Sequence, residues 1–225
     1  MLVTNLTKVE LLDSMGNDNT IANTARVSFA DFSNWNELPK GYTETKRDNL
    51  LRYLADHEHT APFRHAQITV RCSAPIAIAR QLMKHQIGMV WSEESRRYIS
   101  TEPAMFVPRE FRSKPVNGAK QGSGKALTWY MALAPVVALL QSQIHAVNTY
   151  NGLISYGICP EQARLVLPVA QEVTWIWTGS LAAFAHMYLL RTGAGAQVEA
   201  TEFAELLHPI LLERFPKSWE VLTEI

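Results

Sequence analysis

From residue 126 to residue 160 the chain carries no Asp, Glu, Lys or Arg. A soluble protein can carry so long an uncharged run only if most of it is covered. Its most apolar part, "MALAPVVALL", is shorter than the roughly 20 residues a bilayer span needs, and it leads into the polar "QSQIHAVNTYNG". A later stretch, "TWIWTGSLAAFAHMYLL", has the length, but Thr178, Gly179 and Ser180 interrupt it and His186 lies inside it. Helices buried on most sides, in a helical layer or an oligomer, explain both stretches, and no membrane partner is expected.

The rest of the composition narrows the class. With 225 residues, 47% of them hydrophobic, the chain suits one domain over residues 1–225 with a sizeable core. The 21 basic side chains are matched by 21 acidic ones, so a general nucleic-acid binder is excluded and any anion recognition is local. Cys72 and Cys159 stand far apart in apolar contexts, which fits a reducing compartment rather than a disulfide framework. Lys8, Glu10 and Asp13 occupy the place where a secretion signal needs apolar residues. The expected location is the cytoplasm.

Along the chain, "KVELLDSM" predicts a strand stopped by Gly16-Asn17-Asp18, and "NTIANTARVSFA" a helix capped by Asn19 or Thr20. "ADFSNWNELPKGYTETK" reads as a loop, and "KRDNLLRYLADHEH" as a helix finished at or before Pro62. "HAQITVRCSA" alternates as a half-buried strand with Ile68, Val70 and Cys72 on one face. Ser73 and Pro75 then predict a helix start, with the helix running to Gly88 and burying Ile76, Ala79, Met83 and Ile87. Further helices are predicted at 126–150, 159–168, 180–191 (Ser180 as cap) and 198–214. The fold class is α/β (α+β), a helix-rich mixed fold.

Several polar groups are candidates for chemistry. His57, His59 and His65 do not make a zinc site, because Pro62 breaks the helix that His-Glu-x-x-His requires; no metal is expected. The basic, Gly-rich segment 112–125 ends in "GSGK", but Ala126 follows Lys125 and the phosphate-loop spacing fails. A solvated loop is the expectation there, with a lid over a substrate as the functional alternative. "SEESRRY" has the equipment for a phosphate: guanidinium forks from Arg96 and Arg97, the Ser95 hydroxyl and turn N–H groups, with Glu93 beside them to orient a ligand donor. Arg164 and Arg191 sit in apolar helices and need anionic partners if buried; Glu161 is in reach of Arg164, and Arg191 also suits a helix C-terminus.

Taken in order, these segments resemble the flavin-dependent thymidylate synthases. "RQ" at Arg80-Gln81, "KHQ" at 84–86 and "SEESRRY" at 92–98 are similar to that family's Arg-His-Arg and Asn-Glu-x-Ser-x-Arg-Tyr motifs. "VELLDSMGNDNTIANTARVSF", "HEHTAPFRH", "APIAIARQ", "EQARLVLP" and "LLRTGAGAQVE" resemble family segments across nearly the whole chain. The resemblance implies a central antiparallel sheet and a homotetramer with active sites shared between subunits. It implies that dUMP is converted to dTMP, with methylenetetrahydrofolate as one-carbon donor, FAD as hydride carrier and NADPH as reductant. Gln81, Lys84, Glu93, Ser95, Arg96, Arg97, Arg164 and Arg191 match substrate positions, with Arg191 at the pyrimidine edge and Ser95 aligned with a serine once considered a nucleophile. His59, Lys84, His85, Gln86, Glu93, Ser180 and His186 match flavin positions. Lys84 and Gln86 replace two arginines, the "IGMVW" spacer is one residue longer, Ser92 stands for Asn, and Ser180-Leu181-Ala182 stands for Asn-x-Arg. These departures leave three alternatives open: hydroxymethylation of dUMP, methylation of UMP, and a non-catalytic nucleotide-binding paralogue.

Overall fold

The alternation at 67–75 sets the architecture. In the computed structural model, which describes residues 2–4, 7–29, 34–115 and 122–224, this segment is a strand, β3 (Gln67–Pro75). Ile68, Val70, Cys72 and Ala74 are fully buried on one of its faces. Before it come β1 (Leu2–Thr4), β2 (Lys8–Met15), α1 (Asp18–Ala25) and α2 (Glu44–Asp56). After it come α3 (Ile76–Leu82), β4 (Met89–Glu93), β5 (Ala104–Phe106), α4 (Trp129–Ser155), α5 (Pro160–Ala163), β6 (Glu172–Ser180), α6 (Leu181–Thr192), α7 (Val198–Arg214) and α8 (Pro216–Thr223). Strands β2, β3, β6 and β4 lie side by side in that order, all antiparallel; β1 pairs with β5 in a separate parallel pair.

Strand β6 corrects the sequence reading most. "TWIWTGS" is strand, not the start of a buried helix, and it pairs with β3 in the register Val70↔Trp177 and Cys72↔Trp175. The period-two pattern decides it: Val173, Trp175 and Trp177 face the core, while Thr174 and Thr178 bond across to Ser73 and Thr69, each at 3.0 Å. On the apolar face Trp91 stacks on Trp175 at 4.4 Å, and Trp175 stacks on Phe203 of α7 at 5.7 Å. Helices α6, α7 and α8, with α1 and α2, supply the rest of that core. The fold is a mixed one with an antiparallel sheet, as expected.

Other boundaries shift for local reasons. Helix α1 starts earlier than expected, at Asp18, because Asn17 is its cap: Asn17 Oδ1 accepts from Thr20 N (2.9 Å) and Thr20 Oγ1 accepts from Asn17 N (3.1 Å). Asp18 in turn caps α8, accepting from Lys217 N and Ser218 N at 2.9 Å. Ser73 lies within β3, and Pro75 ends that strand rather than sitting in a first helical turn. Helix α3 stops at Leu82 instead of reaching Gly88, because residues 83–88 turn the chain into β4 with Gly88 at φ +73°. The buried stripe is therefore Ile78, Ala79 and Leu82, while Ile87 is 87% exposed. Residues 159–168 hold only α5 and a 3₁₀ turn at Arg164–Val166. Other predicted elements stand: β2 spans the whole of "KVELLDSM", α6 begins where Ser180 Oγ accepts from Ala183 N (3.3 Å), and α7 spans 198–214 despite Pro209.

Helix α4 starts and ends later than the expected 126–150, running from Trp129 to Ser155. It is long and apolar enough to cross a membrane by length and composition. Only Gln143, Val147 and Tyr150 are buried in the chain, and Gln143 Nε2 donates to Phe106 O at 2.9 Å. Its N-terminal half exposes Trp129 (81%), Tyr130, Met131 and Leu133.

At the other end of the sheet, Glu172 enters β6 with Oε1 buried and unpartnered among the described residues. Burial first, opposed by Lys8 and reinforced by Glu94, pushes its carboxyl up to about 7. An acid raised on folding stabilises the protein below its unfolded value, and that contribution is lost as pH rises through the folded one. Discounted for partial exposure, the loss is on the order of 1 kcal/mol. Glu172→Gln is therefore expected to raise Tm at about pH 8 by roughly 2–4 °C, and to change it little near pH 5. Calorimetry at the two pH values reads this directly; an equal shift at both would mean the carboxyl titrates normally.

Candidate active site

Two side chains and a backbone carbonyl from distant segments meet at the end of α6. Arg191 Nε donates to His85 Nε2 at 3.0 Å, and Arg191 Nη2 donates to the backbone carbonyl of Gln81 at 3.2 Å. The α6 helix delivers Arg191, the α3 helix carries Gln81, and the turn after α3 carries His85. Because its Nε2 accepts, His85 is the neutral tautomer with the proton on Nδ1. Burial, then the Arg191 charge, then His186, push its pKa down to about 4, so it stays neutral at physiological pH. The His85 and His186 rings lie 6.3 Å apart.

These residues open onto separate hollows. Gln81 and Arg191 line a cavity of about 570 Å³ together with Arg112, Gln197 and Glu199. Arg164, Arg80, Glu93 and Arg96 line a different cavity, of about 440 Å³. His85 and Gln86 line a third, walled by Trp91 and Trp177, and Ser180 and His186 a fourth with Thr60, Arg64, Gly88 and Ala183. The substrate positions read from the sequence thus sit in one chain without all sharing one hollow.

Within the second cavity the expected phosphate cluster divides. Arg96 points its guanidinium inward, with Nε buried and unpartnered among the described residues and Nη1 donating to Thr101 O. Arg97 turns to Glu161, 3.5 Å away, so the carboxylate expected for Arg164 is engaged by Arg97. Ser95 Oγ accepts from Arg97 N at 3.3 Å, the bond of a turn-forming hydroxyl. Glu93 accepts from Trp91 Nε1 at 3.2 Å. Lys84 is exposed on the turn after α3, and His59 is exposed against Tyr53 and His57.

The arrangement offers cations, amides and a neutral imidazole along neighbouring parts of one chain, in separate hollows. The family model for thymidylate synthase complementing protein matches residues 10–217. The chain belongs to that family. It is 34% identical to a flavin-dependent thymidylate synthase of Thermus thermophilus, over 96% of this chain and 75% of the relative. It is 30% identical to that of Thermosipho africanus, over 94% and 89%. Among solved structures, a UMP/dUMP methylase, PolB, from Streptomyces cacaoi bound with 5-Br dUMP is similar at a TM-score of 0.87 and 29% identity, covering 99% of this chain and 97% of that one.

Placed in the family, one altered motif position, Ser180, has a local explanation. Ser180 spends its hydroxyl capping α6, a task for which Asn and Ser are equally suited. Arg64, which sequence reasoning passed over, enters the same cavity as Ser180 and His186 and brings a guanidinium there. Its only sequence signal is its place between Phe63 and His65 in "HEHTAPFRH".

Proposed function

We propose that the chain methylates dUMP to dTMP, taking a one-carbon unit from methylenetetrahydrofolate, with FAD as hydride carrier and NADPH as reductant. It acts in the cytoplasm as a homotetramer whose sites are shared between subunits. The observation that carries this reading is the Arg191 clamp on His85 and Gln81, a fixed cation at the mouth of an amide-lined cavity. Carbon–carbon bond formation at C5 of uracil places negative charge on the ring and its carbonyls, and a guanidinium held in advance stabilises that charge. Gln81 orients the base, and Arg96 and Arg164, across the subunit boundary, hold the phosphate.

A flavin suits the residues present. Gly88, Ala182 and Ala183 leave a small-walled hollow, where a Cβ on Gly88 would come within 3.2 Å of Ser180 Oγ. Arg64 and Lys84 supply cations for a diphosphate, His59, His85 and His186 imidazole edges, and Gln86 and Glu93 polar contacts. When bound, the flavin supplies the hydride that takes the methylene unit to a methyl group. Neutral His85 would have its Nδ1–H free to donate to the cofactor, and Trp91 and Trp177 would help to exclude water.

The bare apolar face of α4 supports the oligomer: a second copy covers Trp129, Tyr130, Met131 and Leu133. Leu133→Glu is expected to lower the solution mass from four chains to fewer without loss of helix content, measured by light scattering and circular dichroism; an unchanged mass would place the interface elsewhere. The free, unpaired Cys72 and Cys159 support a reducing compartment.

Anaerobic incubation of the protein with dUMP, methylenetetrahydrofolate and NADPH, followed by mass analysis of the nucleotide, tests the reaction. The expected product is dTMP; unchanged dUMP would overturn the reading. UMP is the second substrate to assay, because the similar PolB chain is described with both 5-Br dUMP and 5-Br UMP. A hydroxymethyl product would be visible in the same masses, and a purified protein without flavin absorbance would favour a paralogue that only binds.

A further inference from the structure

Strand β4 lies at the edge of the sheet, with β6 alone beside it among the described strands, and a side chain closes its last rung. In an antiparallel pair, two facing residues exchange N–H and carbonyl through their backbones. Glu94 N donates to Thr174 O at 2.9 Å, but Thr174 N donates to Glu94 Oε1, at 3.1 Å. The carboxylate stands in for the residue's own carbonyl. Freed of that bond, the backbone leaves the sheet at once and turns through residues 95–98, where Tyr98 N donates to Ser95 O at 3.0 Å. The anchor is firm, because the Thr174 hydroxyl is bonded to that of Ser73 in β3.

That turn carries Arg96, which with Arg80 and Arg164 brings a guanidinium to the second cavity, and Glu94 stands in the same wall. Where the chain leaves β6 therefore decides where Arg96 sits. Without an acceptor on the side chain, the backbone carbonyl of residue 94 is free to take Thr174 N; the ladder then runs on by one rung and the turn moves with it. A second carboxylate lies on this end of β6. Glu172 precedes Thr174 by two residues, on the same face of the strand, with Oε1 buried and unpartnered among the described residues. Two charged groups act on it: Lys8 from β2 attracts its negative form, and Glu94 repels it. Neutral, Glu172 leaves Glu94 undisturbed; ionised, it pushes against the carboxylate that closes the rung.

We propose that Glu94 is a positioning residue, a latch that fixes the arginine turn over its cavity, and that negative charge on Glu172 loosens it. The family motif leaves position 94 unspecified, between Glu93 and Ser95 in "SEESRRY". The inference rests on the reading that this cavity holds the phosphate of the nucleotide. Burial pushes the Glu172 carboxyl up to about 7, so the loosening falls across neutral pH. The latch is fully closed below that value and weakens as pH rises through it.

Calorimetric titration of the purified, flavin-loaded protein with dUMP, at about pH 6 and about pH 8.5, on either side of the Glu172 transition, tests this. At the lower pH, Glu94→Ala is expected to weaken binding about tenfold. Glu94→Gln, whose amide oxygen still accepts from Thr174 N, restores it to within about twofold of wild type. Between the two pH values the wild type is expected to lose about threefold in affinity relative to Glu172→Gln and to Glu94→Gln, each of which lacks one of the two repelling charges. The second ionisation of the phosphate, at a pKa of about 6, is common to all four proteins and cancels in the comparison. Glu94→Ala with wild-type affinity, or Glu94→Gln as weak as Glu94→Ala, overturns the latch. So does a wild type that follows the same pH course as Glu172→Gln, since a merely structural role would not depend on that charge. If Glu94→Ala does not fold, the pH courses of the other three proteins decide the question. A wild type that binds no dUMP removes the phosphate reading and the latch with it. One that binds dUMP beside variants of unchanged affinity and pH course removes the latch alone.

Discussion

Arg191→Ala is expected to lower kcat/KM for dUMP by about a thousandfold while the protein stays folded and assembled. The size of the effect follows from two losses at one residue. The ring loses the cation that meets its developing negative charge, an effect that by itself is worth about a hundredfold to a thousandfold in other active sites. The two bonds from Arg191 to His85 Nε2 and Gln81 O also vanish, so the turn after α3 loses the tie that holds it against α6. Fold stability depends far less on the side chain. Arg191 lies in the last turn of α6, where a cation is worth about 0.3–1 kcal/mol against the helix dipole. Arg191→Lys separates the parts: it keeps the charge but cannot reach both acceptors with a planar fork, so turnover should fall between wild type and alanine. A variant that precipitates or dissociates would show that the residue serves the helix end instead, and would remove the clamp from the mechanism.

How much of this could be read from the sequence depends on how local each feature is. Strand β3 was legible because its apolar positions alternate and nothing in nine residues contradicts the period. The α6 cap was legible because Ser180 sits immediately before a helical pattern. Strand β6 was hidden because its aromatic run leads directly into the apolar helix α6, and the interruption at Thr178, Gly179 and Ser180 does not by itself say whether strand or helix precedes it. The end of α3 was hidden because the polar "RQLMKHQ" suits a helix surface as well as a turn. Only the tertiary need to enter β4 decides between them. In the site, Arg191, His85 and Gln81 were named from their resemblance to family motifs, and the fold brings them together. The Arg112–Glu199 and Gln81–Gln197 contacts join residues 87 and 116 positions apart, and no local pattern signals a partner at that distance. For the same reason the separation of Arg164 from Arg191 into two hollows could not be anticipated from their similar helical contexts.

That separation carries the second large expectation, in which two inactive chains make an active enzyme. Arg191→Ala disables the half of the site that Gln81 and Arg191 line, and Arg164→Ala the half lined by Arg96 and Arg164. If the chain assembles as the proposed homotetramer and each site draws one half from one subunit and the other half from its neighbour, co-expressed variants assort at random. A site then finds an intact Arg191 half the time and, independently, an intact Arg164 half the time. Mixed tetramers from equal amounts of the two chains should recover about a quarter of wild-type turnover, against almost none for either parent. Two tags, one on each chain, and purification over both would enrich mixed assemblies before dTMP formation is measured. Sites built within single chains predict the opposite, since every chain then carries one lesion and the mixture stays as inactive as its parents. The rescue also separates assembly from chemistry. Leu133→Glu on either chain should abolish it, because the recovered sites exist only where subunits meet, whereas a contaminating wild-type enzyme would be indifferent to that change.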